Sequence, residues 1–322
     1  MPVVLWLRPW CPDLSPMMTK PTPPATDRRS LLSLFLGEVA GRALPASSAP
    51  EKRPLPAGGG LTGRMVEDLE RALTRPAGER RWMMVIDTRR CIGCSACTVA
   101  CIAENNLPPG VTYRSVPEIE FGTYPTVRRS FMPTNCMQCD KAPCMGAANA
   151  VLPGSMRKRS DGIVEIDYRV MKGRKVFEAA KKACPYGAAL YFDEGKNHTD
   201  GTPQKQAYEN RSVSEYGLET SRAQSAGTTR KCHFCTHRLD VGQLPACVTT
   251  CTGLAMRFGD AADPSSLVAE HIARGETRVV STSPDTKPRV LYVDDWPKDD
   301  GSAQRFANRS VTNCAACHPI SR

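Results

Sequence analysis

The sequence predicts an α+β fold of short strands and helices. They form two cysteine-bearing modules with long loops, between a disordered N-terminal leader and a C-terminal tail. Three observations predict it. Twelve of the 15 cysteines fall in four regularly spaced groups between Cys91 and Cys251. The apolar runs are short, and none reaches the ~18 residues that a membrane-spanning helix requires. Only 6% of the 322 residues are aromatic, against 27 prolines. Such a chain would be tied together by whatever its cysteines bind as much as by apolar packing.

The first group is Cys91-Ile-Gly-Cys94-Ser-Ala-Cys97-Thr-Val-Ala-Cys101. The spacing C-x2-C-x2-C-x3-C is the iron–sulfur run of bacterial ferredoxins, in which three thiolates hold one cluster and the fourth ligates another. Gly93 lets the backbone approach, and Cys101, one short helical turn later, points away. The run therefore demands partner groups. They are Cys136-x2-Cys139-x4-Cys144, Cys184 before Pro185, and Cys232-x2-Cys235-x11-Cys247-x3-Cys251. Two ferredoxin-like modules follow, each pairing two of the four groups.

Composition narrows the function. Disulfide frameworks have no reason to obey these spacings. The +10 formal charge reads first as a solvated basic surface, and second as a face for acidic partners or anionic lipid. No aromatic-interleaved basic motif points to nucleic acid. No Ser/His/Asp arrangement, phosphate-cradling glycine loop or paired carboxylate stands out, so no catalytic residue is expected.

Residues 1–63 read as a leader and linker. Arg28 and Arg29 before a short apolar stretch resemble a twin-arginine export signal, interrupted by Glu38 and Arg42; the plainer alternative is a short amphipathic helix. Cys11 reads as an incidental thiol. Residues 64–81 hold a short helix, Met65 to Thr74, and a connector. The domain proper spans 82–293. Strands are expected at Trp82–Ile86, Gly162–Asp167, Ala188–Phe192, Ala255–Phe258 and Arg289–Val293. Residues 193–230 are polar and read as a surface insertion. Asp263 to Gly275 reads as a helix with an Asp cap and Pro264 at its first position.

From Trp82 to Val293 the chain resembles the iron–sulfur electron-transfer subunits of the dimethyl sulfoxide reductase superfamily. The likeness rests on Met84-Val-Ile-Asp-Thr-Arg-Arg-Cys-Ile-Gly-Cys94, Cys101-Ile-Ala-Glu-Asn-Asn106, Asn135-Cys-Met-Gln-Cys-Asp-Lys-Ala-Pro-Cys144, Cys184-Pro-Tyr-Gly187 and Lys231-Cys-His-Phe-Cys-Thr-His-Arg-Leu239. Leu244-Pro-Ala-Cys-Val-Thr-Thr-Cys251 and Thr286-Lys-Pro-Arg-Val290 look most like the tetrathionate, thiosulfate and polysulfide reductase branch.

The resemblance implies three [4Fe–4S] clusters: Cys91, Cys94, Cys97 and Cys251 for one; Cys232, Cys235, Cys247 and Cys101 for a second; Cys136, Cys139, Cys144 and Cys184 for a third. The family's fourth cluster needs positions 148, 174, 177 and 180, where Ala148, Arg174, Phe177 and Ala180 stand. An empty, repacked site with Phe177 as filler is expected there. The resemblance also implies a molybdopterin catalytic partner, with electrons leaving to a membrane quinone subunit or a soluble c-type cytochrome.

Residues 294–322 form the tail. Cys314-Ala-Ala-Cys317-His318 is a haem c attachment sequence, with two thioether thiols and a proximal histidine; the alternatives are a chance match or a zinc half-site. The sequence does not name a sixth ligand, and Met256 and His271 are guesses. Haem c, with Arg28 and Arg29, places the protein on the periplasmic side. His233 and His237 flank the fourth group, where they either tune a cluster or simply pack. Lys231 and Arg238 either meet cluster charge or are solvated. The leading reading is an electron wire between a molybdopterin subunit and the terminal haem. A free-standing polyferredoxin and a structural zinc protein are the competing readings.

Overall fold

The computed structural model describes residues 60–121, 124–186, 190–204, 226–279 and 284–295. The expectations for Cys11, Arg28, Arg29, the linker, Cys314, Cys317 and His318 lie outside these residues, as does the middle of the polar stretch.

In chain order the elements are α1 (Gly60–Thr74), β1 (Trp82–Asp87), α2 (Ala96–Glu104), β2 (Arg114–Ser115), β3 (Glu118–Phe121), β4 (Arg128–Phe131) and β5 (Thr134–Asn135). Then follow α3 (Pro143–Val151), β6 (Met156–Lys158), β7 (Val164–Ile166), α4 (Arg174–Ala183), β8 (Leu190–Phe192) and β9 (Thr229–Lys231). The last are α5 (Thr236–Leu239), α6 (Ala246–Thr249), β10 (Met256–Asp260), α7 (Leu267–Ala273) and β11 (Val290–Val293).

A three-stranded sheet, β10-β1-β11, anchors the chain. β1 runs antiparallel to β10, with Trp82 opposite Asp260, and parallel to β11, with Met84 beside Val290. Every residue of β1 is buried, because both sheet faces are covered and its side chains alternate between them. Trp82, Met84 and Ile86 enter the main core with Phe258, Val290 and Tyr292. Met83 and Val85 pack on the other face with Val268, Leu291 and Val293. Burial of such side chains contributes about 1.5–3 kcal/mol each. Trp82 also stacks on Phe258, ring centroids 5.6 Å apart, and its Nε1 donates to Asp161 Oδ2 at 3.2 Å.

α1 begins five residues before the expected start, and its Met65, Leu69 and Ala72 point into that core at helical spacing. α7 corrects an expectation. Its cap is Ser266, whose Oγ accepts from Ala269 N at 3.2 Å. Asp263 instead closes the preceding turn, accepting from the Ser265 backbone N–H and hydroxyl. A second acceptor decides the choice: buried Asp68 of α1 takes the Leu267 N–H at 2.8 Å.

The remaining strands are short pairings that bridge cysteine groups: β2 with β5, β3 with β4, β6 with β7 and β8 with β9. α3 packs along α4. The polar stretch 193–230 is not surface at its ends. Asp193, Thr228, Thr229 and Arg230 are buried, and β9 pairs with β8 inside the domain. No described helix is long and apolar enough to cross a membrane.

Candidate metal centres

The twelve described cysteines are all free thiols, and the fold gathers them in fours. Cys91, Cys94 and Cys97 sit on the loop from β1 into α2. Two left-handed residues, Gly93 at φ 72° and Ser95 at φ 56°, curl this loop back on itself. Gly93 is required twice, since a Cβ there would also lie 2.5 Å from the Phe131 ring. Cys251, after α6, completes this group. Burial first, and then like charge on a neighbouring sulfur, Cys251 for Cys91 and Cys247 ahead of Cys251 for Cys97, raise these two thiol pKa values. Cys97 is pushed up to about 11. Cys94 is the exposed member, held below its ordinary value first by the Thr252 hydroxyl 3.2 Å away. The Ala255 N–H donates to Cys251 Sγ at 3.2 Å.

Cys101 lies one turn further along α2 and joins a different group. Together with Cys232, Cys235 and Cys247 it lines a small cavity walled by Met84, Tyr113, Arg114 and Phe234. Phe234 and Cys235 are both left-handed, so this loop curls as the first one does. The Phe234 N–H lies 3.5 Å from Cys232 Sγ, and Asn105 Nδ2 lies 3.6 Å from Cys101 Sγ. Burial pushes Cys232 up to about 11.

Cys136, Cys139, Cys144 and Cys184 line a second small cavity with Gln138, Tyr186 and Lys231. Left-handed Gln138 turns the loop. Pro143 opens α3 immediately before Cys144, and Cys184 caps the C-terminus of α4. Burial first, then neighbouring sulfurs, push Cys139 and Cys184 up to about 12.

The donor sets fit iron–sulfur clusters. The second and third each line one cavity with four sulfurs, and amide N–H groups lie against sulfur in the first and second, as a ligating thiolate requires. The raised thiol pKa values have the same meaning. Buried thiolates are costly unless a polynuclear cation replaces their protons. The sets also adjoin one another: Cys97 senses Cys247, and Cys232 senses Cys136.

The fourth position is filled. Ala148 on α3 and Ala180 on α4 are fully buried, and Phe177 is 7% exposed, in an apolar cluster with Met156, Val164, Met171, Val176 and Leu190. Phe177 packs against Phe192 at 5.5 Å, and the Arg174 guanidinium lies over Phe192 at 4.6 Å.

Other singled-out residues take structural partners. His233 Nδ1 accepts from the Thr236 N–H at 3.2 Å, while its ring lines the cavity of the Cys232 set with a buried Nε2 that has no hydrogen-bond partner; His237 Nε2 pairs with Glu104 Oε1 at 2.8 Å. Arg238 bonds Leu244 O and Glu104. Lys231 is not solvated. Its Nζ is buried against the Val164 and Cys232 carbonyls. Met256 is in the main core and His271 faces Glu276 at 3.0 Å. Sequence reasoning missed Asn105, Asn135 and Arg114. Asn135 Nδ2 lies 3.8 Å from Cys232 Sγ, and Arg114 is buried against the cavity of the Cys232 set.

Comparison with known proteins agrees with this geometry. A family model described as a 4Fe-4S dicluster domain matches residues 127–202 and 204–261. The B subunit of the selenate reductase of Mesobacillus selenatarsenatis is 48% identical over 234 residues, covering 71% of this chain and 77% of that protein. The B subunit of the tetrathionate reductase of Salmonella typhimurium is 34% identical over 218 residues, covering 66% and 72%. The iron–sulfur subunit of the arsenate respiratory reductase of a Shewanella species is 32% identical over 228 residues, covering 65% and 94%.

Proposed function

Because the chain belongs to the family of iron–sulfur subunits of the dimethyl sulfoxide reductase type, we propose that it is an electron wire with three [4Fe–4S] clusters, serving a molybdopterin catalytic subunit. The observation that carries this is the division of twelve described thiols into three complete sets, with the family's fourth position packed by Ala148, Phe177 and Ala180. Random loss would have scattered missing ligands among the sets.

Cys91, Cys94, Cys97 and Cys251 hold the first cluster; Cys101, Cys232, Cys235 and Cys247 the second; Cys136, Cys139, Cys144 and Cys184 the third. When bound, the clusters supply reversible one-electron exchange. The chain's own residues bind and insulate. Twelve thiolates ligate. The N–H groups of Phe234 and Ala255 steady their sulfurs, and Met84, Phe234 and Tyr186 exclude water from the cavities. Proximity of Cys97 to Cys247 and of Cys232 to Cys136 supports the order first, second, third along the path.

With the fourth position filled, electrons leave by another route. Haem c on Cys314 and Cys317, with His318 as iron ligand, is the proposed exit, toward a soluble cytochrome or a membrane quinone subunit. Arg28 and Arg29 are the proposed export signal to the periplasmic side. A pyridine haemochrome spectrum beside an iron and acid-labile sulfide assay on native protein tests the reading. About twelve non-haem irons, four per cluster, and one covalent haem are expected. A chain carrying only zinc overturns the cluster assignment; full iron without haem overturns the proposed exit.

A further inference from the structure

Arg114 is a fully buried guanidinium without a carboxylate. β2 holds its backbone against β5, opposite Asn135. Its NH2 donates to Asn135 Oδ1 at 3.1 Å and meets Met84 Sδ at 3.1 Å. Its NH1 is buried with no hydrogen-bond partner. Among the described residues no acid forms an ion pair with it. A buried cation matched only by an amide oxygen and a thioether is costly unless an anion lies close by.

The anions available are sulfurs. Arg114 lines the cavity of Cys101, Cys232, Cys235 and Cys247. Burial pushes the Cys101, Cys232 and Cys235 thiols up, and the guanidinium opposes it at Cys101 and Cys232. At Cys144 of the third set the cation opposing burial is Lys231 instead, which lines that set's cavity. The guanidinium therefore stands against the second set.

Resting on the three-cluster reading above, we propose that Arg114 is the countercharge of the second cluster, a positioning residue that makes it easier to reduce. An added electron increases the negative charge of a cluster and its four thiolates, and a fixed cation beside it stabilises that reduced form. The missing carboxylate fits this role, since an acid there would cancel the charge that the cluster uses.

The test is an EPR-monitored redox titration of the cluster-loaded full chain, with iron and sulfide counted first. Signals are assigned by their loss in Cys251→Ala and Cys184→Ala. Arg114→Gln should move the midpoint of the second cluster to more negative potential and leave the third in place. Arg114→Met, which removes the charge at similar length, carries the same expectation, and Arg114→Lys should stay close to the parent. Lys231→Met should move the third cluster and leave the first. Equal movement of all three clusters in Arg114→Gln, no movement in either neutral variant, or a Lys variant that behaves as Gln overturns the role of Arg114. A parent chain lacking about twelve irons overturns the cluster reading itself, and the two failures are thereby told apart.

Discussion

The α3–α4 pair carries two sites that should be sisters and are not. At one, Cys144 and Cys184 join Cys136 and Cys139 around a small cavity. At the other, Ala148, Phe177 and Ala180 close on Met156, Met171 and Leu190 in an apolar cluster that also takes in Cys144 and borders Cys184. The backbone problem is the same in both places, two helices that must be held side by side. One solution leaves a volume for a cofactor and surrounds it with four thiols. The other removes the volume and binds the helices by apolar contact. On the proposed reading, a cluster site and an apolar core are exchangeable ways to fasten this fold, and only the first conducts.

The comparison can be broken first by stripping iron. Chelation under oxidising conditions should abolish hydrogen-exchange protection around α2, α5 and α6, whose contacts surround two thiol sets, and leave more protection at Val176, Phe177 and Ala180. Equal collapse of α2 and α4 would show that apolar packing does not stand in for a cluster.

Next in size is ligand loss. Cys251→Ala should remove the cluster of the N-terminal run, about four of twelve irons, although Cys251 and Cys91 are far apart in the chain. Loss of the Cys232 cluster instead, read by EPR and iron count, would break the interlocking.

Phe177→Ala should cost about 3–5 kcal/mol in a denaturant titration, the usual effect of emptying a packed aromatic site, with iron content unchanged. Loss of iron in that variant would mean that the filled site is not independent of its sister.

The smallest effect concerns Asp87 at the end of β1. Burial raises its pKa, but the Arg89 side-chain hydrogen bond and charge outweigh this and hold it below the ordinary carboxylate value. Arg89 grips it twice, at 2.8 and 2.9 Å. A depressed folded pKa contributes stability that is present above the unfolded value and lost as pH falls through the folded one. Asp87→Asn should therefore cost about 1 kcal/mol at neutral pH and nothing once the pH is below the folded pKa. Melting curves across that range check it.

The legible parts of the molecule are those where chemistry dictates spacing. Four sulfurs around one cluster leave little freedom, so Cys91 to Cys101 announce the centres, and positions 148, 174, 177 and 180 announce the filled one. β1 is legible because a fully buried strand is a short apolar run, Trp82-Met-Met-Val-Ile86. Arg114 is not. It reaches its place through a pairing of two-residue strands, too short to leave a period, inside a polar stretch that reads as loop. Asp263 and Ser266 are rival caps three residues apart, and the choice belongs to Asp68, almost two hundred residues away. Arg230 closes a stretch that reads as surface, because its partners Tyr113 and the Asn105 carbonyl lie 117 and 125 residues away in the chain.

The central strand of the main sheet has a consequence for manufacture. β1 is complete by residue 87, yet its two hydrogen-bonding neighbours are Met256–Asp260 and Val290–Val293. Closing such long loops is slow and comes late. During synthesis, therefore, Trp82-Met-Met-Val-Ile86 leaves the ribosome as an unpaired apolar edge, with three thiols close behind it. That edge stays open until roughly two hundred further residues have been made. A ribosome-tethered chain halted before residue 256 should aggregate, while one extended past residue 293 should not. The sets that need Cys247 or Cys251 are complete only with that late stretch of chain, whereas Cys136, Cys139, Cys144 and Cys184 are all made before it.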